Sequence, residues 1–344
     1  MRIRCSAPGK VILFGEHYVV YGASGLVAAI GPDNEIEMEG EPAEGRGTFE
    51  YRTTIKAHDI TVALSDPPDS VSSHAYAALY LKRAKQWPAL QNLRIRARVK
   101  KIWPLKGVGN SASLGACIGA GLRALAGEKT GAALIFEDAQ TADEVAHGGR
   151  PSGIDAAAAA YGGVLEFEKD FSNPLRPKIG PGRIAEMKGV EFLLIDTFQP
   201  ASARGNTGEL VANFAKNNGV GKKPGEMTAD EREAVFAPYL PLFLHAKRAL
   251  QDGEWDTVGR LMDENHRLLA QKGVSDARIE KAVAICKSFG ALGAKLSGAG
   301  GAGGVVIALA RKEKSAGIQE ALAVEGFGCY PFRIAKEGAR AEKE

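Results

Sequence analysis

The order of apolar and polar positions changes character about halfway along the chain. In the first half, apolar residues recur at every second position, as in "LRIRARVKKI" (93–102), which is typical of a β-strand with one face in water. In the second half they recur three and four positions apart, as in "EWDTVGRLMDENHRLLAQ" (254–271), which is typical of an amphipathic α-helix. The pattern therefore predicts a strand-rich first half and a helix-rich second half.

Individual elements follow from this pattern and from the turn residues between its segments. Strands are predicted within 3–15, 34–40, 48–55, 93–102, 162–169, 190–197, 304–310 and 329–335. Helices are predicted within 70–87, 111–125, 136–147, 208–217, 230–253, 254–271, 275–290 and 315–326.

The segment "NPLRPKIGPGR" (173–183) is rich in proline and glycine and lies between two predicted strands. We place a lobe boundary just after it. The prediction is an α+β protein with an N-terminal mixed lobe (1–185), a C-terminal lobe of helices and a small sheet (186–335), and a charged, solvated tail (336–344).

Length and composition agree with two soluble lobes. The chain has 344 residues, whereas a domain with a single hydrophobic core rarely exceeds roughly 250 to 300 residues. Its 44 basic and 41 acidic residues are scattered and give a net charge of +3, which favours small-molecule partners over nucleic acid. The oligomeric state is left open, a homodimer included.

The cysteines and the N-terminus indicate the compartment. Four cysteines lie far apart without a C-x-x-C pair, so we expect thiols in a reducing cytoplasm rather than a disulfide scaffold or a zinc ribbon. The N-terminal apolar patch is interrupted by charged residues and is far shorter than the roughly 20 apolar residues of a membrane span. Neither a signal peptide nor a membrane anchor is expected.

The stretch "GVGNSAS" (107–113) has two interpretations. Its glycine spacing matches a dinucleotide-binding fingerprint, but that site needs a buried parallel strand before the glycines, and the preceding strand alternates with charged residues. Alternatively, Gly107 and Gly109 allow a phosphate to approach the start of a helix, and Ser111 supplies a hydroxyl toward a metal. A plain serine cap on an apolar helix remains a third interpretation.

Two further stretches carry charged residues in apolar surroundings. In "APGKVILFGEHYVVYG" (7–22), Lys10, Glu16 and His17 lie inside an otherwise apolar strand pair, where an unpartnered charge is costly. In "DEVAHGGRPSGID" (143–155), Glu144 ends a helix and Asp155 follows a turn, so that one carboxylate could bind a metal and the other act as a base. The alternatives are a charged hairpin, and a helix stop followed by an N-cap.

The order of these stretches resembles the GHMP small-molecule kinases (galactokinase, homoserine, mevalonate and phosphomevalonate kinases). "PGKVILFGEH", "GVGNSAS" and "KLSGAGGAGG" follow one another as the three signatures of that family do. "GEHYVVYG" and "HGGRPSGID" look most like its mevalonate branch, and "LMDENHRLLAQKGVS", around Asn265, resembles that branch's helical-lobe signature. The likeness spans residues 5 to 305.

The resemblance implies the family's two-lobed fold: an N-terminal lobe like domain 2 of ribosomal protein S5 and a ferredoxin-like C-terminal lobe with extra helices. It implies phosphorylation of the primary hydroxyl of mevalonate with ATP and Mg²⁺. Asp155 would accept the hydroxyl proton beside Lys10, and Ser111 and Glu144 would hold Mg²⁺. The nucleotide loop would comprise Lys106, Gly107, Val108, Gly109, Asn110, Ser111, Ala112 and Ser113. The substrate pocket would comprise Lys10, Glu16, His17, Arg204, Thr207, Gly298 and Ala299.

This chain departs from the family pattern at several positions, including Val108 at the leucine of the glycine loop and an extra residue, Gly149 or Arg150, between His147 and Pro151. The loop is usually written P-x-G-x-G-L-G-S-S-A, but Leu105 replaces its first glycine and Asn110 its first serine. Ala302 interrupts the last glycine run. Nucleotide affinity is therefore the property most expected to differ.

Overall fold

In a computed structural model, the strands predicted in the first half form, and so do the helices predicted within 254–271, 275–290 and 315–326. The structure describes residues 1–53, 58–66, 74–146, 152–173, 176–197, 214–217, 219, 221–301 and 304–344. The strands are β1 (Arg2–Phe14), β2 (Gly25–Pro42), β3 (Thr48–Arg52), β4 (Ile60–Ala63), β5 (Leu93–Lys101), β6 (Val164–Glu168), β7 (Lys178–Pro181), β8 (Val190–Asp196), β9 (Gly293–Ser297), β10 (Val305–Arg311), β11 (Gly328–Ile334) and β12 (Arg340–Lys343). The helices are α1 (Ala75–Gln86), α2 (Asn110–Ala126), α3 (Ala132–Ala146), α4 (Ile154–Tyr161), α5 (Ala229–Phe236), α6 (Leu240–Asp252), α7 (Trp255–Gln271), α8 (Ala277–Ser288) and α9 (Lys312–Val324).

One mixed sheet runs through both halves of the chain. Its main path is β4-β3-β5-β2-β11-β8-β10-β9, while β1 pairs with β2 and β12, and β6 pairs with β2 and β7. The strand pairs are antiparallel except β3 with β5. The two lobes are joined through this sheet, because β11 of the second half pairs with β2 of the first at Arg333–Gly31 and Ile334–Ile30.

The hydrophobic core divides into two clusters that lie on different parts of this sheet. One, containing Phe49, Ile95, Leu122 and Phe136, lies within the N-terminal part beneath α1 to α4. The other draws side chains from both sides of residue 185, with Leu13 of β1 packed in the same cluster as the second-half helices. The α+β architecture predicted from the sequence is confirmed, and the packing across residue 185 is a feature that the pattern did not indicate.

Several segments differ from the sequence-based expectation, among them β4 and β9, which the pattern did not predict. The tail, expected to be solvated, contains β12, whose backbone pairs with Ile3–Ser6 of β1. The proline-rich segment contains β7, which pairs with β6. The helical run 230–253 divides into α5 and α6 around Pro238, because a proline lacks the N–H that a continuous helix would use. Most of the helix predicted within 208–217 lies outside the described residues.

Within the described ranges, no helix combines the length and the apolar character that a membrane crossing requires.

Candidate active site

An ion pair between a buried lysine and a half-buried aspartate lies between β1 and the start of α4. The Lys10 Nζ is 3.2 Å from Oδ1 of Asp155, and the two side chains are 6% and 22% exposed. Lys10 lies in the part of β1 that pairs with β2, and Asp155 lies in the first turn of α4. The structure thus brings together two residues that are 145 positions apart in the sequence and that the motifs had singled out separately.

The glycine loop packs directly against this pair. The backbone N–H of Lys10 donates to the Val108 carbonyl at 2.8 Å. Gly109 precedes α2 with φ of 73°, and a Cβ there would lie 2.9 Å from Cγ of Lys10 and 3.5 Å from Oδ2 of Asp155. The first N–H groups of α2 have no partner within the helix and carry its positive dipole end. The ion pair therefore faces the loop that ends at an anion-attracting helix terminus.

Ser111 in the first turn of α2 donates a hydrogen bond to Asp143 of α3, with Oγ to Oδ1 at 2.7 Å. The two helices approach closely because α2 has glycines one and two turns further on. A Cβ on Gly115 would lie 2.8 Å from Cβ of Ala142, and one on Gly119 would lie 2.5 Å from Cβ of Asp138. This close packing holds the serine hydroxyl and the carboxylate together.

Asp143 is a residue that the sequence-based interpretation missed. It continues the buried face of α3, formed by Phe136, Ala139 and Gln140 at helical spacing. Glu144, the residue predicted from the sequence, is the next position and is half-buried. The helical spacing of that face is the signal that would have favoured Asp143 as the partner of the α2 serine.

The oxygen atoms of Ser111 and Asp143 fit a hard divalent cation. A hydroxyl and carboxylates are the ligand types that Mg²⁺ takes, and Mg²⁺ often uses only one or two protein carboxylates together with substrate phosphates. No cluster of three or more His, Cys, Asp or Glu side chains suited to a metal occurs in the described part of the chain.

The end of β9 carries the second glycine-rich stretch toward Lys10. Ser297 Oγ accepts from the Ile12 N–H at 2.8 Å and donates to the Ile12 carbonyl at 3.1 Å, which fixes β9 beside β1. Gly298 follows, and a Cβ at this position would lie 3.8 Å from both Nζ of Lys10 and the Gly107 carbonyl. The stretch predicted to line the substrate pocket therefore lies against both the lysine and the glycine loop.

His17 has an unusual backbone and a neutral ring. Its φ of 59° is the one positive value among the described non-glycine residues. Nε2 lies 2.9 Å from the Ala299 carbonyl, so Nε2 carries the proton and Nδ1 is an acceptor. Burial lowers the pKa of His17 to about 4. Nδ1 is buried without a hydrogen-bond partner in the described structure, and the ring stacks on Phe214 at 5.0 Å.

Glu16 forms an ion pair with Lys295 of β9, and both side chains are fully buried. Lys295 also donates to the Leu296 carbonyl at 2.7 Å. Burial raises the pKa of Glu16 and lowers that of Lys295, and the attraction between the two opposes both shifts. Lys295 was not predicted as a site residue, although a lysine in the buried strand "GAKLS" is the signal of a partnered charge.

The structure therefore gathers most of the predicted residues around one loop. Lys10, Asp155, Gly109 and Gly298 lie within contact distance, and His17 reaches Ala299. Arg204 and Thr207, also predicted to line the substrate pocket, lie outside the described residues.

Two family models match this chain. That for the GHMP kinases N-terminal domain matches residues 73–163, and that for the GHMP kinases C-terminal domain matches residues 246–327. The first contains the glycine loop, Asp143 and Asp155; the second contains Lys295 and Gly298. The N-terminal model thus covers the glycine loop and the two aspartates, and the C-terminal model covers the end of β9.

Individual relatives match along the whole chain. A mevalonate kinase of Aeropyrum pernix is 31% identical over 99% of this chain and 98% of its own. A mevalonate kinase of Thermococcus sibiricus is 31% identical over 99% of both. The crystal structure of L. major mevalonate kinase in complex with R-mevalonate superimposes with a TM-score of 0.73 and 26% identity, covering 96% of this chain and 94% of that one. The chain belongs to the GHMP kinases and resembles the mevalonate kinases among them along its whole length.

Proposed function

We propose that this protein is a cytoplasmic, ATP-dependent kinase that phosphorylates the primary hydroxyl of mevalonate and yields 5-phosphomevalonate and ADP. The observation that carries the proposal is the ion pair between the buried Lys10 and the half-buried Asp155, placed against a glycine loop at a helix N-terminus. The full-length similarity to mevalonate kinases supports the choice of acceptor.

Asp155 is the base in this proposal. Its carboxylate takes the proton of the substrate hydroxyl while that oxygen bonds to the γ-phosphorus of ATP. The bond from the γ-phosphorus to the bridging oxygen breaks, and ADP leaves. Lys10, 3.2 Å from the carboxylate, stabilises the negative charge on the attacking oxygen.

The loop and the α2 terminus hold the phosphates. Backbone N–H groups within residues 106–112 would face the anionic oxygens, and the helix dipole favours negative charge there. Ser111 and a carboxylate near the end of α3 would hold Mg²⁺: Glu144 is the candidate from the sequence, and Asp143 is the carboxylate bonded to Ser111. When bound, Mg²⁺ would neutralise charge on the phosphates.

His17 and the β9 end orient the acceptor. Nδ1 of a neutral His17, which has no hydrogen-bond partner among the described residues, would accept a hydrogen bond from a substrate hydroxyl. Gly298 and Ala299 would form the adjacent wall, and Glu16 would support it through Lys295. We assign Arg204 and Thr207 to the same pocket, by the family pattern alone.

The test is ADP release by the purified protein with mevalonate, phosphomevalonate, homoserine and galactose as acceptors. Mevalonate is expected to give the highest kcat/KM, and another acceptor giving it would overturn the substrate assignment. Asp155→Asn is expected to lower kcat by roughly 10²- to 10⁴-fold, since it removes the base. Asp252→Asn, at an exposed surface ion pair, is the matched control and is expected to leave kcat unchanged. Full activity in D155N would refute the role of Asp155.

A further inference from the structure

The segment that leads into α2 is anchored by a buried leucine. Leu105, which replaces a glycine of the family pattern, is 2% exposed and belongs to the hydrophobic cluster that spans both lobes. Trp103, two residues earlier, is buried in the same cluster. The start of the nucleotide loop is thus fixed by apolar burial, where the family pattern has a residue without a side chain.

Asn110, the second departure, links the loop to itself. Its Nδ2 donates to the Trp103 carbonyl at 3.1 Å and to the Leu105 carbonyl at 2.9 Å. The serine of the family pattern has one hydroxyl proton and a shorter side chain, so it could not donate to both carbonyls. The asparagine therefore closes the segment 103–110 into a ring of hydrogen bonds.

Asn34 of β2 holds this ring against the sheet. It is fully buried, its Oδ1 accepts from the Trp103 N–H at 2.7 Å, and its Nδ2 donates to Oδ1 of Asn110 at 3.1 Å. The same Nδ2 lies 3.0 Å from Oγ of Ser113, which in turn donates to the Ala7 carbonyl at 3.0 Å. Two asparagines and a serine thereby join the loop to β1, β2 and the first turn of α2.

Hydrogen bonds within the protein engage three backbone carbonyls of the segment 103–108. The Trp103 and Leu105 carbonyls accept from Asn110, and the Val108 carbonyl accepts from the Lys10 N–H. The N–H groups of Asn110, Ser111 and Ala112 have no partner within the helix, whereas the Ser113 N–H donates to the Gly109 carbonyl at 3.0 Å. With three of its carbonyls engaged by the protein and the first amides of α2 left for a ligand, the loop favours the approach of an anion at the helix start.

We propose that Asn110, supported by Asn34, is a positioning residue that forms the nucleotide loop before the nucleotide binds. The inference rests on the proposed kinase function and goes beyond it, since it concerns how this chain compensates for its departures from the family loop. Binding to a loop already in its bound shape avoids the free-energy cost of ordering it. Removing the hydrogen bonds of the Asn110 side chain should therefore weaken nucleotide binding and leave the acceptor site intact.

The experiment compares wild type with Asn110→Ala and Asn110→Ser, the latter being the family residue. Hydrogen exchange of residues 103–113 in the nucleotide-free protein is expected to become at least tenfold faster in both variants. The Kd and KM for ATP are expected to rise fivefold or more, while kcat at saturating ATP and the KM for mevalonate stay within twofold. Gln91→Ala, which removes a side-chain bond to the Ala84 carbonyl of 2.8 Å far from the site, is the control and should change none of these.

The outcomes separate the two proposals. A wild-type protein that binds no ATP would overturn the proposed function and the positioning role of Asn110 with it. An active wild type together with unchanged ATP affinity in N110A would overturn the positioning role of Asn110 and leave the proposed function standing. Unchanged hydrogen exchange of residues 103–113 in N110A would also overturn the positioning role of Asn110. So would an equal rise in the KM values for ATP and mevalonate.

Discussion

Substitution of Lys295 by methionine tests how much the buried pair with Glu16 contributes to the stability of the fold. Methionine has nearly the length of lysine and fills the same space without a charge. Both side chains of the pair are fully buried, so no water replaces the lost ammonium. The Glu16 carboxylate, whose pKa is already raised by burial, would then have to remain charged without its partner or take up a proton.

The expected loss of stability follows from the free-energy cost of protonating Glu16 in the folded variant. Protonating a carboxyl with an ordinary pKa of about 4.3 costs roughly 3.7 kcal/mol at pH 7 and roughly 1 kcal/mol at pH 5, at about 1.4 kcal/mol per pH unit. The value at pH 7 agrees with the roughly 3 to 5 kcal/mol observed when one partner of a buried ion pair is removed. K295M is therefore expected to lose roughly 3 to 4 kcal/mol of unfolding free energy at pH 7.

The pH dependence has a definite sign. In K295M the folded protein holds a proton on Glu16 that the unfolded chain releases above its ordinary pKa, so the stability of the variant falls as pH rises from about 4.3. The difference from wild type should consequently shrink when the pH is lowered from 7 to 5. Urea unfolding at both pH values measures it.

Two variants serve as comparisons. Glu16→Gln combined with K295M removes both charges and is expected to recover most of the loss. Lys281→Met breaks an ion pair with Glu325 whose side chains are 54% and 44% exposed, and is expected to match wild type because exposed pairs contribute little. A loss below about 1 kcal/mol at pH 7 in K295M, or a loss independent of pH, would refute the reasoning.

Three further predictions concern the loop, the metal and the acceptor. Gly109→Ala and Gly127→Ala both place a side chain at φ near 70°, but only at position 109 would the new Cβ meet Lys10. Both variants should lose roughly 1 to 2 kcal/mol of unfolding free energy. Only G109A should also lower kcat. Equal turnover in the two would contradict the contact argument. Asp143→Asn is expected to raise the Mg²⁺ concentration for half-maximal rate more than Glu144→Gln, since Asp143 is bonded to the α2 serine; a larger effect in E144Q would assign the ligand to Glu144. His17→Phe should raise the KM for mevalonate about tenfold through one lost hydrogen bond, and a KM shifted for ATP instead would count against it.

Many of the elements, and the charged residues Lys10 and Asp155 as candidates, could be predicted from the sequence because the patterns that indicate them are local. The 3.6-residue spacing of 254–271 requires a helix with one apolar face, and α7 spans Trp255–Gln271. Lys10 and Asp155 stood out because each is a charged residue next to turn residues in an apolar stretch, and the structure joins them at 3.2 Å. Motif order indicated the family before any contact was known.

What only the tertiary structure decided are the contacts between distant segments. Lys295 meets Glu16 across 279 positions and Asn34 meets Asn110 across 76, and no local pattern relates such pairs. Asp143 rather than Glu144 bonds to Ser111 because helix packing selects which face of α3 meets α2. The tail residues became β12 because β1 leaves an edge whose N–H and C=O groups need partners. Short-range periodicity specifies each element, whereas burial and hydrogen bonding in the assembled sheet determine which side chains meet.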